Sequence, residues 1–347
     1  MFKNLGVPMV LYLVIVVMIT AFFRPSLHRL YQDSGELPPG WESRLLGRET
    51  ESEWETRMAN IHQDRREALH RACQRFNMKG PPPPPRKLHK LRYNDPYRLV
   101  YCDVAKAGST TMKQILAKVD PNYDYIRKNG LHDQGAFKDL SQFPSGSPGL
   151  THRLTNYTKF MIVREPLERL LSAYQDKFMY GRGVREYENN YGKHFLEVRT
   201  PNDADRWQKM ATHASPSKVR LNVTFAEFVR GVLTGEERYF NIHWQPQHLI
   251  CHPCQLQIRY DYIGHLETMS DDVRYIMQKT GIIEKVAPPK QSARRAGNNM
   301  AAMYANIPLK HIRQLGRMYA FDYVAYSFPF HQTVRDIVKV WEDELQL

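Results

Sequence analysis

Two strand-to-helix junctions in this sequence carry residue types that bind phosphate or sulfate groups. The first follows the segment 99–104, which reads as a short buried strand, and its residues are basic, small or hydroxylated: Lys106, Ala107, Gly108, Ser109, Thr110 and Thr111. Free N–H groups and the dipole at a helix N-terminus favour an anion there. Gly108 permits close backbone approach, and the Lys106 ammonium adds a mobile charge. Small and hydroxylated residues also cap ordinary helices, so the segment alone leaves that alternative open.

The second junction repeats this design around a guanidinium. Arg164 follows the apolar segment 160–163, Pro166 occupies a first helical position, and Ser172 lies about two turns further on. The fixed fork of Arg164 suits a second phosphate, and the Ser172 hydroxyl can donate one more hydrogen bond. The alternative is that Arg164 pairs with Glu168 and that Ser172 only packs. The triphosphatase pattern GxxxxGK[ST] is absent from the sequence.

The elements around these junctions indicate an α/β fold. Short apolar strands alternate with amphipathic helices, which is typical of a central parallel sheet flanked by helices. The segment 48–79 reads as a charged helix with a sparse apolar face. Gly80 and the proline run at 81–85 end it and form a stiff spacer. We expect a luminal stem at 24–85 and a catalytic domain at 86–347.

The N-terminus carries a candidate membrane anchor. Residues 7–23 contain no charge, which is the lower limit for a membrane-spanning helix. A cleaved signal peptide is the alternative, but no small-x-small cleavage site precedes Arg24. We therefore predict an uncleaved signal anchor at 7–23 after a cytoplasmic tail at 1–6. The short span suits the thin membranes of the early secretory pathway.

Cysteines and glycosylation sequons also indicate a luminal protein. Asn156 and Asn222 both begin acceptor sequons. Four cysteines in an oxidising lumen are expected to form disulfides, which we predict as Cys251–Cys254 and Cys73–Cys102. A zinc site at 251–254 is the rival interpretation, without a second Cys/His pair at ligand spacing.

The charge balance suits an anionic partner, and a basic surface that only aids solubility is the alternative. The 347 residues carry a net charge of +13, spread along the chain. Acidic glycans, phosphorylated cofactors and nucleic acid all fit that sign. The anchor and the sequons disfavour nucleic acid.

A family resemblance makes these interpretations specific. Residues 159–174, KFMIVREPLERLLSAY, closely resemble the 3′-phosphate loop of the Golgi carbohydrate sulfotransferases. That group includes the chondroitin and dermatan 4-O-sulfotransferases and the HNK-1 sulfotransferase. Residues 152–154, His243-Trp244, Cys251-x-Pro-Cys254 and residues 260–268 continue the resemblance in the same order. It implies a type II anchor, a P-loop-like α/β fold and 3′-phosphoadenosine 5′-phosphosulfate as donor.

The first loop departs from the family pattern. Pro, Cys, Asn and Trp are usual where this chain has Ala105, Ser109, Thr111 and Met112. Lys106 and Thr110 remain. In other sulfotransferase families, Gly followed by two hydroxyl residues is usual here, so we expect the cradle to bind the donor. The loss of the aromatic surface at position 112 predicts a change in cofactor positioning.

Sulfuryl transfer assigns each junction a role. Lys106 would neutralise charge on the phosphosulfate, and the N–H groups of residues 108–111 would assist. Arg164 and Ser172 would hold the 3′-phosphate, and no metal is required. His152 is the first candidate for the base because related glycosaminoglycan sulfotransferases use a His or Glu. A turn role for it is the alternative. The weaker candidates are His243, for which packing is favoured, His265, Glu267 and His132.

The acceptor is expected to be an acidic glycan or glycosaminoglycan. The resemblance favours the 4-O position of N-acetylgalactosamine, with 3-O of glucuronic acid next. Basic residues that suit an acidic glycan are Arg182, Arg185, Lys193, Lys290, Arg294 and Arg295. One rival is a manganese-dependent glycosyltransferase using Asp203-Ala204-Asp205, in a polar stretch without a preceding strand. The other is a glycan-binding homologue that does not bind the donor.

Overall fold

The computed structural model describes residues 49–345, with gaps at 79, 82, 182, 198–220, 235–239, 256–257 and 291–299. The predicted tail, the anchor and the stem up to residue 48 lie outside the described residues, as do Arg182, Asp203, Asp205, Arg294 and Arg295. Within the described part, no helix combines the length and apolarity needed to cross a bilayer.

A four-stranded sheet organises the fold. Its strands are β1 (Leu91–Asn94), β2 (Leu99–Cys102), β3 (Thr158–Val163) and β4 (Tyr262–His265), in the spatial order β1-β2-β3-β4. The pairs β2–β3 and β3–β4 are parallel, whereas β1 runs antiparallel to β2 at one edge. The predicted α/β class is confirmed, with a parallel sheet that carries one antiparallel edge strand.

Helices cover both faces of the sheet because its central strands are apolar on both sides. On β2, Val100 and Cys102 belong to one buried cluster, whereas Leu99 and Tyr101 belong to another. This alternation follows the two-residue period of a strand. The helices, in chain order, are α1 Glu51–Arg75, α2 Ser109–Ala117, α3 Tyr123–Asn129, α4 Pro148–Asn156, α5 Pro166–Tyr174, α6 Val184–Tyr187, α7 Lys193–Glu197, α8 Phe225–Leu233, α9 His248–Cys251, α10 Met269–Lys279, α11 Met300–Ala305, α12 Leu309–Met318, α13 Ala320–Ala325 and α14 Phe330–Leu345.

The charged helix predicted at 48–79 is observed as α1. The chain from Met58 onward forms one compact unit. Within that unit, Leu69 and Ala72 are buried, and Arg65 Nη1 donates to Ile263 O at 2.9 Å and to Asp272 Oδ1 at 2.6 Å. The second half of α1 thus packs on the body that the sequence analysis begins at residue 86. That domain boundary stays a prediction.

Two disulfides form, as expected, but the predicted pairings are wrong. Cys73 pairs with Cys254, and Cys102 pairs with Cys251. Cys251 ends α9 and is buried beside the end of β2, whereas the turn after it, with His252 in a left-handed conformation, brings Cys254 against α1. The two neighbouring cysteines therefore join this turn to two elements that are distant in sequence.

Removing one of these disulfides is expected to cost much of the stability. The double variant Cys102→Ala/Cys251→Ala opens a cross-link that spans a sequence separation of 149 residues. Loop-closure entropy predicts a loss of about 4–5 kcal/mol in the free energy of unfolding. Equilibrium urea unfolding without reductant measures it, and wild-type protein in dithiothreitol should move towards the variant. A difference below about 1 kcal/mol would contradict the prediction.

Candidate active site

The two predicted anion-binding junctions meet at the edge of the sheet that is formed by the carboxyl ends of its parallel strands. β2 and β3 are parallel neighbours, so the loop after β2 and Arg164 after β3 leave the sheet side by side. α2 begins at Ser109 and α5 begins at Pro166, as the sequence predicts. Arg164 Nη1 donates a hydrogen bond of 3.2 Å to the backbone oxygen of Lys106. The two junctions therefore form a single site.

The loop after β2 has a left-handed backbone at two positions. Lys106 has φ +69° and Gly108 has φ +78°. This conformation turns the chain into α2, whose first three N–H groups, at residues 109–111, find no acceptor in the described part of the chain. These N–H groups lie at the positive end of the helix dipole, and no side chain caps this end of α2. An anion is therefore favoured at the start of α2.

The ammonium of Lys106 lies in a partly buried ion pair. Its Nζ is 2.7 Å from Asp176 Oδ2, and the same oxygen is 3.0 Å from Lys177 Nζ. Burial lowers the pKa of Lys106, and Asp176 opposes that effect. Asp176 lies in the π-helical turn Gln175–Met179 that follows α5.

The guanidinium of Arg164 is buried at the start of the second junction. Its Nη2 lies 3.4 Å from Glu168 Oε2, so the pairing considered as an alternative does occur. Gln247 fixes the backbone on both sides, accepting from Arg164 N at 3.0 Å and donating to Arg164 O at 2.8 Å. Burial lowers the pKa of Arg164, and the Glu168 carboxylate opposes that change. Ser172 is half-buried on α5.

Glu165 caps α5 between these groups. Its Oε2 accepts from Glu168 N at 2.6 Å, and its Oε1 accepts from the Tyr323 hydroxyl at 2.5 Å. Burial raises the pKa of Glu165 to about 7. Glu267 Oε1 accepts from Glu165 N at 3.2 Å, which places the carboxylate of Glu267 at the second junction.

Arg169, which was not predicted from the sequence, holds the backbone at the same end of the sheet. Its fully buried guanidinium donates to three backbone oxygens: Nε to Ala105 at 2.9 Å, Nη1 to Gln245 at 2.7 Å and Nη2 to Ile242 at 2.7 Å. Ala105 directly precedes Lys106. The sequence does carry a signal for this role, since Arg169 stands among the leucines of an amphipathic helix. A buried arginine requires several hydrogen-bond acceptors, so such a position indicates that it holds other segments.

Comparison with known proteins identifies the family to which the chain belongs. A family model described as "Sulfotransferase family" matches residues 89–329, a segment that contains both junctions. The chain belongs to the sulfotransferase family.

Curated sulfotransferases resemble the chain over most of its length. Carbohydrate sulfotransferase 11 of Mus musculus is 30% identical over 283 residues, covering 78% of this chain and 76% of that protein. Carbohydrate sulfotransferase 14 of Danio rerio is 30% identical, covering 72% and 65%. Carbohydrate sulfotransferase 8 of Homo sapiens is 28% identical, covering 79% and 65%. No solved structure matches the chain.

The structure places His152 at the wrong edge of the sheet for the predicted role of base. It is exposed on α4, which leads into the amino end of β3, and its ring contacts Tyr157. Tyr157 in turn donates to Asp95, in the turn before β2. A strand of the length of β3 separates its two ends by about 20 Å. The carboxyl end of the parallel strands, where Lys106 lies, is therefore out of reach of His152.

The remaining predicted residues lie in different surroundings. Met112 is buried among apolar residues on one face of the sheet, so it packs in the core. His265, at the end of β4, packs against Phe328 with ring centroids 4.6 Å apart. His132 is exposed after α3, and its partial desolvation, together with the charge of Lys113, lowers its pKa.

Several surface predictions fall on exposed residues. Asn156 and Asn222, the sequon asparagines, are both exposed, as glycosylation requires. Arg185 on α6 and Lys290 are exposed as well. The side chain of Lys193 lies outside the description.

The Gly108→Ala variant of this chain is expected to lose both stability and affinity for the nucleotide. A Cβ at Gly108 would lie 2.8 Å from Met269 Sδ and 3.1 Å from Leu266 Cδ1, at a φ that disfavours L side chains. Gly281→Ala is the matched control, since its φ is +72° and no atom lies within 4 Å of the added Cβ.

The two alanine variants separate backbone strain from the clash. We expect Gly281→Ala to cost about 1 kcal/mol and Gly108→Ala about 2–3 kcal/mol of unfolding free energy. Gly108→Ala should also weaken binding of 3′-phosphoadenosine 5′-phosphate about tenfold, because the loop must shift. Chemical unfolding and calorimetric titration measure the two effects. Equal losses in both variants would show that the contact with α10 is unimportant.

Proposed function

We propose that this chain transfers the sulfuryl group of 3′-phosphoadenosine 5′-phosphosulfate to a sugar hydroxyl. The observation that carries the proposal is the hydrogen bond of Arg164 to the backbone of Lys106, which joins two cationic junctions at one sheet edge. One nucleotide with phosphates at its 3′ and 5′ positions has the charge distribution that such a double site accepts. Family membership supports the same donor.

Each junction supplies one part of the reaction. The Lys106 ammonium and the N–H groups at the start of α2 stabilise negative charge on the phosphosulfate as the bond from sulfur to the bridging oxygen breaks. Arg164 and Ser172 hold the 3′-phosphate and fix the position of the donor. The acceptor oxygen forms the new bond to sulfur, 3′-phosphoadenosine 5′-phosphate leaves, and the hydroxyl proton passes to a base. Metal is not required for these steps.

Both cations pair with carboxylates, and the phosphates of a bound donor would compete with those carboxylates. An unpaired buried cation is costly, so Asp176 stabilises Lys106 and Glu168 stabilises Arg164. The Asp176 side chain is 38% exposed, and it can turn into water as the phosphosulfate arrives. A phosphate offers more charge and more acceptor oxygens than the carboxylate that it replaces.

Asp176→Asn is expected to tighten nucleotide binding. The substitution removes a negative charge that competes for Lys106 and leaves a side chain of the same shape. Dissociation constants for 3′-phosphoadenosine 5′-phosphate should fall on the order of tenfold at low salt, and the gain should shrink as salt screens the charges. Calorimetric titration at two salt concentrations measures this. Weaker binding would mean that Asp176 orients Lys106 for the donor and does not compete with it.

The acceptor proposed is an acidic glycan of the chondroitin or dermatan type, at the 4-O position of N-acetylgalactosamine. The resemblance to that group of enzymes and the net charge of +13 support it. The test uses the full chain with donor carrying labelled sulfate and a panel of desulfated glycans, followed by linkage analysis of the product. Label on desulfated chondroitin, with the same rate in EDTA, is the expected result.

Other outcomes identify the rival functions. Loss of activity in EDTA, with transfer from a nucleotide sugar, would indicate the manganese-dependent glycosyltransferase. Glycan binding without any binding of 3′-phosphoadenosine 5′-phosphate would indicate a glycan-binding homologue. Label at the 3-O position of glucuronic acid would retain the reaction and change the acceptor.

We also propose that the chain is a Golgi membrane protein of type II topology whose catalytic domain lies in the lumen. Two disulfides fit an oxidising compartment, and exposed Asn156 and Asn222 suit glycosylation. Removal of N-glycans should increase electrophoretic mobility, and the double variant Asn156→Gln/Asn222→Gln should show no such shift. Protection of the body from protease in sealed vesicles tests the topology.

A further inference from the structure

A histidine that sequence analysis assigned to packing lies beside the proposed sulfuryl-transfer site. His243 follows Ile242, and Lys106 follows Ala105, and the backbone oxygens of Ile242 and Ala105 both accept hydrogen bonds from the guanidinium of Arg169. Two acceptors of one guanidinium are only a few ångströms apart. The loops that carry Lys106 and His243 are therefore clamped together one residue before each side chain.

A second chain of contacts connects the side chains of Lys106 and His243. Lys106 and Lys177 share Asp176, and Lys177 Nζ lies 4.8 Å from the centroid of the Tyr187 ring. The Tyr187 hydroxyl lies 3.2 Å from His243 Nδ1. His243 thus borders the same cationic group that would hold the phosphosulfate.

The hydrogen bonds of His243 select one tautomer. Nδ1 is 2.6 Å from Asn241 Oδ1, and Asn241 Nδ2 donates to the Tyr191 hydroxyl at 2.9 Å. An amide oxygen accepts only, so the ring must donate from Nδ1. Asn241 Oδ1 also accepts from His243 N at 3.0 Å, which fixes its orientation. The lone pair of the neutral ring is consequently on Nε2, and no described residue bonds that atom.

Burial, with the positive charges around the imidazole, keeps the ring of His243 neutral. Burial lowers the pKa of His243 to about 3, and the positive charges of Lys177, Lys106 and Arg169 add to that effect, while Asp176 opposes it. A neutral ring retains its lone pair, and the anionic charge of a bound donor would strengthen it as a base.

We infer that His243 is the catalytic base of the proposed reaction and takes the acceptor-hydroxyl proton on Nε2. As the acceptor oxygen bonds to sulfur and the bond from sulfur to the bridging oxygen breaks, the proton moves to Nε2 and forms an imidazolium. Release of that proton to solvent restores the ring. Asn241 is a positioning residue, because it holds the Nδ1–H tautomer. The inference rests on the proposed function.

The test compares three histidine variants of the full chain. His243→Gln should lower kcat for glycan sulfation by about 100- to 10,000-fold. Its dissociation constant for 3′-phosphoadenosine 5′-phosphate should stay within about threefold of wild type, because a base does not hold the nucleotide. His331→Gln, an exposed residue on α14, is the matched control and should keep the wild-type rate. His152→Gln tests the competing candidate and should also keep it.

Two further readouts separate catalysis from folding. Asn241→Ala keeps the ring but frees its tautomer, and kcat should fall about tenfold with little change in KM. Exogenous imidazole should restore part of the rate of a His243→Gly variant, which a merely structural role would not allow. Wild-type activity in His243→Gln, or loss in His152→Gln alone, would overturn the inference. Absence of donor binding and transfer in the wild-type chain would instead refute the proposed function.

Discussion

Lys106→Ala is expected to lower the rate of sulfate transfer by about 1,000-fold without unfolding the protein. The ammonium is the cation of the loop after β2, and the loop holds it in a left-handed backbone at the start of a helix. Charge that develops on the leaving phosphate would lose this positive partner. Steady-state transfer at saturating donor measures kcat, and the loss should appear there more than in KM.

The ion pair of Lys106 explains why stability should survive this change. Asp176 Oδ2 keeps Lys177 Nζ at 3.0 Å after the substitution, so no buried charge is left without a partner. We expect the free energy of unfolding to change by less than about 1 kcal/mol. Lys106→Arg should recover only part of the rate, because a planar guanidinium cannot replace a compact ammonium at the same point.

An exposed lysine supplies the control for Lys106. Lys118, at the end of α2, is exposed, and Lys118→Ala should transfer sulfate at the wild-type rate. Retention of normal turnover in Lys106→Ala would refute the assignment of the loop. A large loss of stability in that variant would show that Lys106 is a structural residue.

The sequence was sufficient to predict the two junctions because their information is local. An apolar strand, a turn with glycine and a helix start at Ser109 follow from neighbouring residues, and the same holds for Arg164 and Pro166. Once both strands were placed in one parallel sheet, their carboxyl ends had to share an edge. That step required only the order of the elements.

Contacts between distant segments were beyond such reasoning. The cysteine pairs depend on how the turn after α9 lies between β2 and α1, which spacing alone cannot specify. His152 precedes β3 closely in sequence, yet the length of the strand separates it from the site. From the sequence, a packing role beside Trp244 was favoured for His243. Its loop is brought to Lys106 by Arg169, which lies 73 residues before Ile242, and that contact cannot be inferred from neighbouring residues.

Buried electrostatics connects these distant segments. The site edge contains a guanidinium with no carboxylate partner at hydrogen-bond distance among the described residues: Arg169 is satisfied by backbone oxygens alone. Burial lowers the pKa of Arg169 to about 10, and it still remains charged at neutral pH. Its positive charge thus adds to those of Lys106 and Arg164, while its geometry fixes two loops.

Arg169→Lys is expected to destabilise the protein strongly and to impair catalysis in the fraction that folds. One ammonium cannot reach three backbone oxygens in the plane of a guanidinium, so at least one buried acceptor would lose its partner. The loss should be about 3–5 kcal/mol in the free energy of unfolding, and Arg169→Met should lose at least as much. Urea unfolding measures the difference.

The catalytic effect of Arg169 follows from what it holds. Without the clamp, the loops before Lys106 and His243 can separate, and a displacement of about 1 Å can cost about 100-fold in rate. Arg153→Ala is the control: Arg153 pairs with Asp95 at 2.7 Å near the opposite edge, so we expect a loss of about 1 kcal/mol and an unchanged rate in assays below the unfolding temperature. A stable Arg169→Lys protein with normal turnover would mean that the two loops keep their positions without the guanidinium, and the coupling between Lys106 and His243 would then lack its physical basis.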